Sequence, residues 1–175
     1  EKDYRGSEHV RILAYSKESF FVPENIYIIG TMNTADKSLV QIDAALRRRF
    51  AFEELLPNPA ILDLPEFEDA KKYKCILEKL NAKILNGRKE FRDKQVGHSY
   101  FLKLKTDEDV QFMFKHELIP LLQDYFYYDY QILREILGKE IIMENEDRVV
   151  DKIFKTENAD TFVKKLKTAL GCDDN

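Results

Sequence analysis

Only two of the 175 residues are cysteine, Cys75 and Cys172, far apart and without a CxxC partner. That scarcity argues against a disulfide framework and against a Cys-rich zinc site, and makes reduced thiols the expectation. His9 and His116 lack an HxxxH or HxH partner, so no metal site is expected of them. No apolar run approaches the roughly 18 residues of a membrane span, and the opening Glu-Lys-Asp-Tyr-Arg-Gly has no signal-peptide character. A soluble, cytoplasmic chain without membrane contact is expected. Basic residues are not in excess either, because 28 Lys and Arg stand against 32 Asp and Glu for a net charge of −4. A DNA-coating module is thereby excluded, and any DNA contact has to be local or made by regions outside this chain. The initiator Met is missing, as expected of a segment of something larger. Repeats and low-complexity tracts are absent.

The most informative absence is a phosphate-binding loop. A nucleotide hydrolase wraps phosphates in backbone N–H groups of a glycine-rich loop ending in Gly-Lys-Ser/Thr, whose Lys reaches the phosphate oxygens. Here the only Gly-Lys pair, Gly138-Lys139, is followed by Glu140 and preceded five residues earlier by Leu133. No apolar strand ends in Asp-Glu, since Asp107-Glu108 follows the polar Lys-Leu-Lys-Thr. By itself the chain should bind and hydrolyse no nucleotide.

What is present suffices for a core, with 44% hydrophobic residues. The prolines Pro57, Pro59 and Pro65 interrupt helix and central strand alike and predict a boundary between residues 1–56 and 57–172. Before it, Val10–Tyr15 and Phe20–Val22 read as extended. Asn25-Ile-Tyr-Ile-Ile-Gly30 is a continuous apolar run, the pattern of a parallel strand buried on both faces. Ser38 and Gln41 have capping-box spacing, and Leu39, Ile42 and Leu46 predict a helix to about Arg48, with Phe50 to Leu55 alternating as a last strand. After the prolines the pattern is helical: about Glu66–Asn86, stopped by Gly87; Asp107–Tyr127, with Phe112, Leu118, Leu121 and Leu122 inward and a kink at Pro120; Ile132–Leu137, closed by Gly138; and Asn158–Leu170. Gln95 to Leu102 reads as a loop or a short extended piece, and the tail from Cys172 as frayed.

Several polar residues have two readings each. Asn33 follows the apolar run, at the carboxyl edge where open α/β sheets bind ligands. Its amide suits donation to phosphate and acceptance from water, and equally a turn in which it bonds its own backbone. Asp36 is either a helix-leading cap worth about 1 kcal/mol or a functional acid. Lys37 adds positive charge to that loop or is an ordinary surface lysine. Arg47, Arg48 and Arg49 end the helix from Ser38, on the order of 15 Å from its start. They stabilise its dipole by about 0.3–1 kcal/mol apiece or reach a partner's phosphates. As consecutive helical residues they diverge by about 100° each, so not all three serve one site. Tyr125-Phe-Tyr-Tyr-Asp-Tyr130 has no interleaved Lys or Arg, and reads as packing rather than as a base-stacking surface.

Val22-Pro-Glu-Asn-Ile-Tyr-Ile-Ile-Gly-Thr-Met-Asn-Thr-Ala-Asp-Lys-Ser, followed by Asp43-Ala-Ala-Leu-Arg-Arg-Arg-Phe50, resembles the second half of the AAA+ module of the McrB family, the GTPase motors of 5-methylcytosine-dependent restriction systems. Lys37 replaces the more usual Arg of that signature. The resemblance continues through Val96-Gly-His-Ser-Tyr-Phe and Pro120-Leu-Leu-Gln-Asp-Tyr-Phe, which look like the family's helical lid. It implies an α/β plus α fold: the C-terminal part of an AAA+ (P-loop NTPase) core, then a mainly helical lid. It implies that Asn33 is the sensor that orients water, and that Arg48 or Arg49 is an arginine finger acting on a neighbouring subunit, with Arg47 beside it. Asp36 and Lys37 would belong to a loop facing that neighbour, and His98 and Ser99 to a lid loop near the nucleotide, unless His98 is simply a buried structural residue. The intact protein would use GTP or ATP with Mg2+, form a ring, expected to be a hexamer, and drive a McrC-like nuclease subunit on DNA. A non-catalytic adaptor that retains the fold, or a MoxR-like remodelling ATPase, are the alternatives.

Overall fold

The structure, a computed structural model, describes residues 6, 9–32, 47–139, 141–142 and 158–172. Contacts divide the chain into two compact units, Glu1–Glu54 and Leu55–Asn175.

In the first unit the described residues form one short antiparallel pair, β1 (Arg11–Ile12) with β2 (Ser19–Phe20), Arg11 opposite Phe20 and Ile12 opposite Ser19. Lys17 takes φ 60° in the connecting turn. The run Asn25–Gly30 is not a strand, and Ile28 and Ile29 are 67% and 93% exposed. This overturns the expected doubly buried parallel strand. A strand persists only when a neighbouring strand pairs with it and its two faces are covered, and no described strand pairs with this run. Phe50 to Leu55 likewise forms no strand with the described residues and leaves Phe50, Phe52 and Leu55 exposed. The helix expected from about Leu39 to Arg48 lies outside the described residues up to Leu46; Arg47 is helical and Arg48 already in a turn.

The second unit is helical. Asn58 caps a 3-10 turn, Pro59–Asp63, its side chain accepting from the Ala60 N–H at 3.1 Å, and Pro65 opens a second such turn, Pro65–Phe67. Both prolines occupy starting positions, where the missing N–H costs nothing. A single turn, α1 (Glu68–Lys71), leads into α2 (Lys74–Leu85). α2 buries Ile76, Leu77, Leu80 and Ile84 and ends where Asn86 turns left-handed at φ 30°, followed by Gly87. Lys89–Lys94 and His98–Tyr100 are 3-10 turns.

The long helix expected over Asp107–Tyr127 is built in three parts: α3 (Asp107–Met113), a π-helical turn (Phe114–Leu118) and α4 (Ile119–Tyr125). Pro120 has no N–H to send back along the helix, and the ladder widens by one residue ahead of it instead of breaking. Leu118 and Leu122 are buried as expected, whereas Phe112 is 61% exposed and lies against His116, ring centroids 4.6 Å apart. α5 (Tyr130–Leu137) is capped by Asp129, which accepts from the Gln131 and Ile132 N–H groups, and closes at Gly138. α6 (Ala159–Leu170) is capped by Asn158 and lays Phe162, Val163, Leu166 and Leu170 into the core. There Phe162 meets Phe114 edge-on at 5.9 Å, and Lys83 on α2 donates to the Ala169 carbonyl at 2.7 Å.

Packing α2 against α6 also corrects the reading of the cysteines. Cys75, in the first turn of α2, and Cys172, just past α6, are joined as a disulfide with Cα atoms 6.0 Å apart. Their 97-residue separation hid this, because spacing along the chain carries no information about two helices that meet in the core. Cys172 is accordingly buried, not frayed.

Candidate functional site

The loop Val96-Gly-His-Ser is held by hydrogen bonds from two other segments. Asn81 is the buried polar residue of α2, on the same stripe as Leu77, Leu80 and Ile84. Its amide N–H donates to the Val96 carbonyl at 2.9 Å, and its amide oxygen accepts from the Val96 N–H at 2.7 Å. Both backbone groups of a fully buried residue are thus satisfied by one side chain, as a neighbouring strand would satisfy them. One residue after Gly97, His98 accepts through Nδ1 from the Asn58 backbone N–H at 3.1 Å. That bond fixes the neutral tautomer, leaving Nε2 to carry the proton. The loop is therefore tied from below by α2 and from the side by the segment that enters the helical unit. His98 is half-buried and Ser99 exposed.

Ser99 lines an open cavity of about 450 Å³ with Tyr100, Lys103, Asp109, Phe112 and Glu117 among its walls. The α3 end of that cavity is held by a capping box. Thr106 Oγ1 accepts from the Asp109 N–H, while the Asp109 carboxylate accepts from the N–H groups of Thr106 and Lys105, both at 2.9 Å. These backbone donors hold the Asp109 carboxyl below its usual range. The start of α2 is tied to the same place: Tyr73 donates to Asp107 at 2.7 Å and Lys72 to the Lys105 carbonyl at 2.9 Å. Burial, and then the bond to Asp107, push the Tyr73 hydroxyl far above its ordinary value.

The other candidates fare differently. Asn33, Asp36 and Lys37 lie outside the described residues. Arg47 is the last helical residue before a turn that holds Arg48 and Arg49, and all three are exposed. The expectation that three successive helical positions splay them therefore applies to Arg47 alone. Its guanidinium lies 5.7 Å from the Phe52 ring centroid. The arginines belong to the first unit, and His98 and Ser99 to the second.

Two features escaped sequence reasoning. Asn81 was detectable as a polar residue on an otherwise apolar stripe. Lys94 was not: its ammonium lies 4.9 Å from the Phe91 ring, 4.8 Å from Phe126 and 5.5 Å from Tyr127, and donates to the Tyr125 carbonyl. The aromatic run Tyr125–Tyr130 thus acquires through space the cation it lacks in sequence. Phe126 packs inward, as expected, but Tyr127 and Tyr128 are 66% and 57% exposed on left-handed backbone.

Residues 72–134, from the turn before α2 to the middle of α5, match the family model described as McrB, alpha-helical lid domain. The chain is also similar to the Type IV methyl-directed restriction enzyme EcoKMcrB subunit of Escherichia coli (strain K12), 37% identical over 74% of this chain and 32% of the relative. The chain is McrB-like. It spans about a third of that relative's length, and its helical second unit carries the lid match. Among its described residues no helix is long and apolar enough to cross a membrane. The tied loop around His98 belongs to this McrB-like lid, inside the matched segment.

Proposed function

We propose that this McrB-like chain is the C-terminal part of an AAA+ motor subunit of a modification-dependent restriction system, its first unit completing a nucleotide-binding core and its second forming the lid. The lid-domain match over residues 72–134 carries the reading. The large apolar surface left open in the first unit, including Ile12, Tyr15, Tyr27 and Ile29, supports it, because a free-standing domain rarely leaves so much apolar area uncovered.

On this reading the intact subunits assemble as a ring, a hexamer, that hydrolyses GTP, or ATP, between neighbours and drives a McrC-like nuclease subunit on DNA. Asn33 positions the attacking water, its uncharged amide donating to phosphate while accepting from water. Arg48 or Arg49 reaches the neighbouring subunit's phosphates with a permanently charged, bidentate guanidinium. Asp36 and Lys37 face that neighbour, and His98 and Ser99 present the lid loop to the nucleotide. Among the described residues no group of three His, Cys, Asp or Glu is gathered to hold a metal ion. In the intact assembly Arg48→Ala and Arg49→Ala separate the two finger candidates. Loss of the finger lowers hydrolysis by about 10³-fold or more, and wild-type turnover in both variants overturns the assignment. Asn33→Ala should bind nucleotide normally and turn it over slowly. Normal turnover there removes the sensor role.

A further inference from the structure

We propose that Cys75 and Cys172 form a reversible thiol–disulfide pair, a redox modification site that clamps the last helix to the lid, with Cys75 the attacking thiol and Cys172 the resolving one. Three observations carry this. The cysteines meet with Cα atoms 6.0 Å apart, a separation that a disulfide spans without backbone movement. They differ in access: Cys75 is half-buried and Cys172 buried, so a small reagent meets Cys75 first. Cys75 also lies in the first turn of a helix of 12 residues, where the dipole favours negative charge on sulfur, and the neighbouring sulfur is the second group that makes this a site.

The pair is not needed to dock the helix. Phe162, Val163, Leu166 and Leu170 of α6 are buried on their own account, and Lys83 bonds the Ala169 carbonyl. The dithiol form therefore keeps the same packing and loses only the covalent clamp, so the site can switch without unfolding the lid. The oxidant is a low-molecular-weight disulfide of the glutathione type. The Cys75 thiolate attacks one of its sulfurs, the S–S bond breaks, and one small thiol departs with a proton. The Cys172 thiolate then attacks the Cys75 sulfur of the mixed disulfide, forming the protein bond and expelling the second small thiol. Two protein thiols are oxidised and one small disulfide is reduced to two thiols.

The test uses the full chain, reduced and then exposed to oxidised glutathione. The expected product has lost both alkylatable thiols and two hydrogen masses, carries no glutathione, and reverts with dithiothreitol. Cys172→Ser should stop with one glutathione on Cys75, and reduced Cys172→Ser should be alkylated about tenfold faster than reduced Cys75→Ser. Circular dichroism of both reduced variants should match that of the reduced chain. Two thiols that stay alkylatable, a chain bearing two glutathiones, or cross-linked dimers overturn the pairing. Equal alkylation of the two variants overturns the order of attack, and a reduced variant that unfolds overturns the claim of a switch that leaves the lid folded.

Discussion

Removing the Asn81 amide tests whether one side chain holds the His98 loop in place. In Asn81→Ala the Val96 N–H and C=O both lose their partner, and Val96 is fully buried. A buried backbone group left unpaired costs about 1–3 kcal/mol, so two of them, partly relieved by relaxation, predict a loss of about 2–4 kcal/mol. For a unit of this size each kcal/mol moves the thermal midpoint by about 4 °C, giving a fall on the order of 10 °C. Urea titration with a constant m-value, together with a thermal scan, measures it. Hydrogen exchange should locate the effect, with protection at Val96 and at Asn58, the donor to His98, falling before that of α6. Asn81→Asp sharpens the argument. A protonated carboxyl can donate to the carbonyl and accept from the N–H, as the amide does, whereas a carboxylate can only accept. The folded state then favours the protonated form, its pKa lies above the unfolded value of about 3.9, and stability falls as pH rises between the two. A loss below about 0.5 kcal/mol in Asn81→Ala, the scatter of neutral surface changes, would refute the reasoning.

Four further outcomes follow from the geometry of the helical unit. Gly138 closes α5 at φ 88° and ψ 160°, backbone that only glycine adopts readily, and a Cβ there meets the Ala169 Cβ at 3.0 Å. Gly138→Ala should cost about 2–3 kcal/mol by urea denaturation. Thr106→Ala removes the side-chain acceptor of the α3 capping box and should cost about 1 kcal/mol. The Asp109 carboxyl is held below its unfolded value, so its contribution is present above about pH 4 and is lost as pH falls through the folded value. Asp109→Asn should flatten that acid limb. Reducing the Cys75–Cys172 bond frees a loop of about a hundred residues in the unfolded chain and should lower lid stability by up to about 4.7 kcal/mol. An unchanged urea midpoint with dithiothreitol would contradict that figure.

Helical periodicity was the most legible level of this protein. The stripe Ile76, Leu77, Leu80, Ile84 and the stops at Gly87 and Gly138 are local features, and helices stand there, although the one expected from about Glu66 begins at Lys74. The McrB-like character was legible from motifs because it depends on the order of residues. Extended structure was not legible in the same way. Asn25–Gly30 has the composition of a buried strand, but a strand is completed by the ladder of a neighbouring strand, and among the described residues none pairs with it.

The sequence by itself determined which segments become lid helices and where most of them stop, because those choices are made by residues within three or four positions of each other, but not the late start of α2 at Lys74 or the π-helical turn at Phe114–Leu118. Only the tertiary structure decided that Asn81 serves Val96, that Lys94 enters a ring of aromatic side chains, and that Cys75 reaches Cys172. Each of these joins groups from separate elements. Which elements meet is settled by how apolar faces pack together, and spacing along a chain does not record it.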